Sequence, residues 1–293
     1  MKFTLAVALS PPDQYGPLAE AAEEAGWDAI CVPDSIFWSE SMSAKYPYTR
    51  DGERFWGPDT PFLSPWIAIS WMAAQTESLF FYTNVLKLAV RQPLLVAKQV
   101  TSLAALCDNR LGFGAGLGWL PEEFEWCGAD YKSRGKRANE ALEILKLLFE
   151  GGEVSYDGEY YSFGKIVMSP TPSKPVPIYI GGHSKPALRR AAKYGDGWAS
   201  AMIGTEELLE IVQKLRELRK EYGREDEPFE IQTAIRDVFD LDGYKRLEEG
   251  GVTDVIAQPW MLRGVAPNGP VEDKIDALKW YADEFIHPMK ESS

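Results

Sequence analysis

Few side chains in this sequence could carry covalent chemistry by themselves. There are two histidines, His183 and His287, and three cysteines, Cys31, Cys107 and Cys127. The cysteines stand 76 and 20 residues apart, with no CxxC pair, so they lack zinc spacing, and two histidines cannot build a His-rich metal centre. No metal site is expected. A Ser-His-Asp triad would have to recruit one of those histidines, and no G-x-S-x-G elbow supports it. The chemistry is therefore expected from a bound organic cofactor that brings its own reactivity.

Four short stretches could hold such a cofactor. Val32 is followed by Pro33, Asp34 and Ser35; an Asp there could hydrogen-bond a ligand or move a proton, or simply cap a turn. Thr83, Asn84 and Val85 end another apolar run. Gly112, Gly114, Gly116 and Gly118, flanking Leu117 and followed by Trp119, put a glycine at every second position. That pattern strips side chains from one face of a strand, leaving room for a flat ring or for tight barrel packing. Gly181, Gly182, His183 and Ser184 lie between an apolar run and an amphipathic stretch. They read as an anion site at a helix start, suited to phosphate and reinforced by Lys185, Arg189 and Arg190, or as a plain capped turn.

The elements that must position these residues alternate from end to end. Apolar β-type runs at 3–9, 29–32, 79–86, 111–115, 178–180, 197–201, 230–235 and 252–256 are separated or followed by helical patterns. The helices are expected to end near Gly26 and to cover about 62–76, 94–107, 136–150, 185–194, 206–222, 244–249 and 272–285. Eight β-then-α units predict an α/β fold, a single (β/α)8 TIM barrel spanning 1–293, with the active site at the C-terminal ends of its strands. Two stretches exceed the repeat. Residues 37–61, after strand two, are rich in aromatics, Pro and Gly and read as a long structured loop. Residues 151–176, between helix four and strand five, hold a hairpin-like 154–163 and a Pro-rich return.

Composition narrows the partners. With 31 Lys plus Arg against 44 Asp plus Glu, the net charge of −13 opposes attraction to nucleic acid or anionic membranes. A small-molecule ligand is expected instead. The unpaired cysteines fit a reducing, cytoplasmic compartment. No apolar stretch approaches the roughly 20 residues of a membrane span.

Taken together, the motifs resemble the bacterial luciferase-like flavin-dependent oxidoreductase superfamily, and within it the branch that uses the deazaflavin coenzyme F420. The matching pieces are Val32–Pro33–Asp34; 84–93 with Val96, Ala97 and Lys98; 112–124; Arg134, Gly135, Arg137 and Glu140; Tyr156 to Gly158 with Tyr160 and Tyr161; Gly181 to Ser184; 187–192; and Gly195 to Trp198. The resemblance implies a ring cofactor across the strand mouths, with its phosphate on the Gly181–Ser184 turn. It implies a non-prolyl cis peptide at Asn84 and Val85 behind the ring, Asp34 as a polar contact, and Gly116, Leu117 and Gly118 at the ring edge. Asp34 and Ser35 are the candidate catalytic residues. Lys87, Arg91 and Lys185 could meet the acidic F420 tail.

Two departures bear on the reaction. Ser35 stands where members of the family often have a histidine, and it supplies no imidazole acid. Sugar-phosphate dehydrogenases of the branch carry a Glu where this chain has Trp119, which argues against sugar-phosphate oxidation. Trp38, Trp56 and Trp119, with Tyr46, Tyr48, Trp66 and Trp71, suggest an aromatic wall on the substrate side, unless some of them pack the barrel exterior. The expected activity is hydride transfer between reduced F420 and a small organic substrate. The alternatives are an FMN-dependent monooxygenase and a non-catalytic flavin-binding protein. Pairing of two copies through barrel helices, as a homodimer, is a further implication of the resemblance.

Overall fold

The structure is a computed structural model and describes residues 1–291. Eight parallel strands form a closed ring: β1 (Lys2–Ala6), β2 (Ala29–Val32), β3 (Phe80–Thr83), β4 (Leu111–Gly116), β5 (Ile178–Gly181), β6 (Gly197–Ala199), β7 (Glu230–Thr233) and β8 (Asp254–Ala257). Going round the ring, β3, β2, β1, β8, β7, β6, β5 and β4 are hydrogen-bonded in turn, and β4 closes onto β3 through Phe81↔Leu111 and Tyr82↔Gly112. This is the (β/α)8 barrel that the alternation of runs predicts.

The covering helices follow from apolar spacing. In the helix Thr205–Glu221, Leu208, Ile211, Val212 and Leu215 fall on one face and are buried, with Glu206 and Glu207 in the first turn and Arg219 and Lys220 in the last, as the helix dipole favours. The helix Leu241–Gly250 is capped by Asp240, which accepts from the Gly243 N–H at 2.7 Å, and stops at Gly251 with φ +101°. The main core fills the layer between strands and helices. A smaller cluster inside the barrel joins Ala29, Cys31, Tyr82, Tyr179 and Ile256.

The element boundaries differ from the sequence expectation where the backbone turns out of register. β1 stops at Ala6, ahead of Leu9, which has φ +65°. The run expected at 79–86 is broken: β3 ends at Thr83, a cis peptide joins Asn84 to Val85, and a short piece, Leu86–Lys87, pairs with the end of β4. The helix expected over 62–76 is Pro65–Ala73, begun by its proline. The last helix, Val271–Tyr281, passes through a π-helical turn, Ala282–Ile286, into His287–Glu291.

Residues 33–64 carry neither helix nor strand. The second excess stretch holds an antiparallel hairpin, Glu153–Asp157 with Ser162–Val167, somewhat longer than expected. Glu140 anchors it by accepting the N–H groups of Glu159, Tyr160 and Tyr161 at 2.9, 2.9 and 3.1 Å. Among the described residues no helix is long and apolar enough to cross a membrane.

Candidate active site

The C-terminal ends of β3, β4 and β5 meet around Val85. The cis peptide expected between Asn84 and Val85 is present. Thr83 Oγ1 donates to the Gly114 carbonyl at 2.7 Å, and the Asn84 N–H donates to the Val32 carbonyl at 2.7 Å. A Cβ on Gly114 would fall 1.7 Å from the Thr83 carbonyl oxygen, one on Gly116 2.5 Å from Val85 Cγ2, and one on Gly181 3.0 Å from both Val85 γ carbons. A Cβ on Gly112 would meet Tyr179 at 2.7 Å. Of the two readings of the alternating glycines, packing within the chain therefore accounts for Gly112, Gly114 and Gly116. Their effect is to let Val85 sit between β4 and β5 at the mouth.

Two ion pairs brace the loops beside it. Arg91 grips Asp34 through Nη1–Oδ2 at 2.7 Å and Nη2–Oδ1 at 2.9 Å, and the Lys87 N–H donates to Asp34 Oδ2 at 2.8 Å. Lys87 Nζ in turn bonds Glu123 Oε1, which also accepts from the Ile36 N–H at 3.1 Å. Glu123 is fully buried, and its Oε2 has no partner among the described residues. Both Asp34 oxygens are thus engaged, so proton movement by Asp34 has no geometric support. Ser35 Oγ makes only a long contact, 3.5 Å, to the Phe37 carbonyl. Lys87 and Arg91, expected as contacts for an acidic tail, are committed to Glu123 and Asp34 instead.

At the end of β5, Gly182 has φ +112°, and a Cβ there would lie 3.1 Å from Ala187 Cβ. The helix Lys185–Tyr194 follows, capped by Ser184, whose Oγ accepts from the Ala187 N–H at 3.4 Å. Pro186 has no N–H and Leu188 bonds the Ser184 carbonyl at 3.0 Å, so most donors of the helix start are spent. The N–H groups of His183 and Ser184 in the turn donate to nothing among the described residues. His183 Nε2 accepts from the Ala201 N–H at 3.2 Å, which places its proton on Nδ1. Burial holds the His183 pKa below its ordinary value, against a weaker opposing pull from Glu207.

Over this mouth the 37–61 segment folds as an aromatic cluster. Tyr46 is its hub, with ring centroids 5.0 Å from Trp56, 5.3 Å from Trp119 and 5.6 Å from Tyr48. Tyr48 reaches His183, edge to face, at 5.5 Å. Burial raises the pKa of both tyrosines, with Tyr48 adding to the shift of Tyr46.

Of the tryptophans expected in the wall, Trp56 and Trp119 meet through Tyr46. Trp38 lies under Arg54 at 4.5 Å, Trp66 is buried against Phe113 at 6.1 Å, and Trp71 stands 61% exposed on the barrel exterior. Leu117 packs on the cluster of Ala89, Val90, Phe124 and Ala138. Gly118 has φ +87°, and a Cβ on it would fall 2.9 Å from Phe124.

Sequence reasoning missed the Lys87–Glu123 pair and the central place of Tyr46. Glu123 stands between Glu122 and Glu125 in the stretch Pro121–Trp126, so its sequence context does not single it out as the buried acid. A groove of about 840 Å³ lies elsewhere, between the loops after β6 and β7, and is lined mainly by acids such as Glu206, Glu210 and Asp242. Of the residues named for the mouth, only Glu207, which acts on His183 from a distance, lines it.

Comparison with known proteins agrees with the barrel fold. A protein of Mycobacterium tuberculosis described as uncharacterized is 41% identical over 287 residues, covering 98% of this chain and 99% of that protein. An F420-dependent glucose-6-phosphate dehydrogenase of Nakamurella multipartita is 26% identical, covering 93% of this chain and 77% of the other. In fold, the chain matches the monooxygenase RslO1 of Streptomyces bottropensis with TM-score 0.76, 16% identity and coverage of 99% and 100%. It matches an F420-dependent secondary alcohol dehydrogenase with TM-score 0.74, 17% identity and coverage of 95% and 97%. The family model described as luciferase-like monooxygenase spans residues 6–239, and the chain belongs to that family.

Proposed function

We propose that this protein binds coenzyme F420 at the mouth formed by β3, β4 and β5 and uses it for hydride transfer to or from a small organic substrate. The observation that carries the reading is Val85, set against Gly116 and Gly181 beside the Gly181–Ser184 turn. This gives a shallow apolar backing for a flat ring and, next to it, free turn amides for a phosphate. When bound, the deazaflavin supplies the hydride. The chain's own residues do the rest: Val85 backs the ring, the His183 and Ser184 amides hold the phosphate, and the cluster around Tyr46 excludes water.

F420 is preferred over FMN because the named activity among the curated relatives compared above is F420-dependent. Oxidation of a sugar phosphate is not part of the proposal. Trp119 packs on Tyr46, and the nearby cations Lys87 and Arg91 are held in ion pairs. A substrate that is apolar and uncharged suits such a wall. Fluorescence titration with F420 tests the reading, with Gly182→Asp as the variant expected to abolish binding by repelling the phosphate and blocking close approach. Equal affinity in wild type and Gly182→Asp would remove the phosphate from this turn.

A further inference from the structure

Most polar side chains at the mouth are already engaged. Thr83 Oγ1 donates to the Gly114 carbonyl at 2.7 Å, Ser200 Oγ donates to Thr233 Oγ1 at 2.7 Å, and the Asn84 amide reaches the Cys31 sulfur at 3.7 Å. The cations Lys87 and Arg91 are held by Glu123 and Asp34. The imidazole of His183 differs. Its Nε2 accepts the Ala201 N–H at 3.2 Å, so the proton sits on Nδ1, which has no partner among the described residues.

Three contacts fix this half-buried ring. Ala201 follows β6, and the bond to its N–H turns Nε2 toward the end of that strand. Trp198 lies 5.6 Å from the ring, centroid to centroid, and is itself buried and tied by Nε1 to the Gly182 carbonyl at 2.9 Å. Tyr48, from the aromatic segment over the mouth, meets the ring edge to face at 5.5 Å. The two nitrogens of an imidazole point in nearly opposite directions. With Nε2 committed to Ala201, the Nδ1–H is aimed away from β6.

The ring is also uncharged at neutral pH, because burial holds its pKa below the ordinary value against a weaker pull from Glu207. A fixed, neutral N–H beside an aromatic wall selects an uncharged acceptor. A hydrocarbon of the same shape would leave the donor unpaired, and sites built around such a donor discriminate against that analogue.

We propose that the His183 Nδ1–H holds the reacting oxygen of the substrate, and that the substrate is an uncharged carbonyl compound or the alcohol related to it. The assignment rests on the hydride-transfer reading above and adds to it the substrate class and the side chain that selects it. In the reducing direction the carbonyl carbon receives the hydride supplied by the bound deazaflavin, the C=O π pair moves onto oxygen, and that oxygen takes its proton from water. His183 keeps its own proton, since Nε2 is occupied as an acceptor; its N–H stabilises the charge that builds on oxygen, as a neutral imidazole can. In the oxidising direction the hydroxyl proton leaves to water.

The test uses a matched pair of probes, cyclohexanone and methylenecyclohexane, which share a shape and differ in the acceptor oxygen. Binding is read by quenching of tryptophan fluorescence in F420-loaded wild type, His183→Phe, Tyr46→Phe and Tyr48→Phe. The tyrosine variants remove the competing neutral donors of the wall, and phenylalanine at 183 keeps a ring against Tyr48 and Trp198. Wild type is expected to prefer the ketone roughly fivefold, about one neutral hydrogen bond. The preference should vanish in His183→Phe and persist in both tyrosine variants. No preference in wild type, an unchanged preference in His183→Phe, or its loss in a tyrosine variant instead overturns the proposal.

A second measurement needs neither a variant nor a cofactor. In wild type with ring-labelled [15N]histidine, only His183 and His287 give signals, and His287, bonded to the Ala25 carbonyl ahead of β2, serves as the reference. His183 should show the neutral Nδ1–H tautomer, with cyclohexanone shifting its Nδ1 signal and leaving that of His287 in place. An Nε2–H tautomer, or no shift, overturns the assignment. If neither F420 nor FMN binds, the cofactor reading fails, and this spectrum alone decides whether His183 is the donor to a carbonyl.

Discussion

Arg91 holds Asp34 at both carboxylate oxygens, 2.7 and 2.9 Å apart, across 57 residues of sequence. The Asp34 side chain is only 2% exposed and that of Arg91 25%. The pair fixes the end of β2 to the loop after the Asn84–Val85 peptide, so it positions the mouth and does not itself react. Removing Arg91 would leave a buried carboxylate unpaired. Arg91→Leu is expected to lower unfolding free energy by about 2–4 kcal/mol, and Asp34→Asn in the same chain to restore part of it. Denaturant unfolding of the two single variants and the double variant checks this; strictly additive losses would mean that the pair is uncoupled.

The glycines of β4 should separate folding from binding. Gly114→Ala puts a carbon 1.7 Å from the Thr83 carbonyl, and no soluble protein is expected. Gly116→Ala meets only Val85 Cγ2, at 2.5 Å, a side chain that can yield at a cost of roughly 1–3 kcal/mol. That variant is expected to fold and to bind the cofactor more weakly because Val85 is displaced. Circular dichroism and ligand titration read the two effects, and full affinity in Gly116→Ala would contradict the role given to Val85.

Asp254 makes stability depend on pH. It is sealed inside the barrel, with Thr4 Oγ1 at 2.9 and 2.8 Å from its two oxygens and the Tyr82 hydroxyl at 3.2 Å. Burial pushes its pKa up to about 7, against about 3.9 in an unfolded chain. A raised folded value means that the native state binds the proton more tightly. The stabilisation is therefore complete below about pH 4 and is lost as pH rises through 7, on the order of a few kcal/mol in all. Asp254→Asn should remove this slope between pH 4 and 8. A wild-type curve parallel to that of the variant would mean that Asp254 stays ionised.

Ile67 and Trp71, one turn apart on Pro65–Ala73, and Leu95 and Leu106 on the helix Pro93–Leu106 are 61–81% exposed. A helix face this apolar suits the homodimer expected from the family resemblance. Trp71→Glu should shift sedimentation from dimer to monomer. A wild-type protein that sediments as a monomer would set the expectation aside.

The barrel was legible because alternation of apolar runs and amphipathic helices is a local property, and Ala29 to Val32 or Leu208 to Leu215 carry it in their own spacing. The turn at Gly181–Ser184 and the bend at Asn84 were legible through motif. The ion pairs were not, since Asp34 meets Arg91, and Lys87 meets Glu123, only after loops from different strands close over the mouth. Trp66 and Trp71 could not be sorted for a related reason: the helix Pro65–Ala73 is apolar nearly all round, so its sequence does not tell which face is covered. The glycine run allowed two readings until Val85 was seen to occupy the space.

On the proposed reading, F420 occupies the mouth built around Val85 and the Gly181–Ser184 turn. The most direct test of that reading is an anaerobic competition titration of the purified protein with F420 and FMN, followed by admission of oxygen to the reduced complex. Tighter binding of F420, with no oxygen uptake, is the predicted result. Tighter binding of FMN accompanied by oxygen consumption would overturn the F420 assignment and make the protein a flavin-dependent oxygenase.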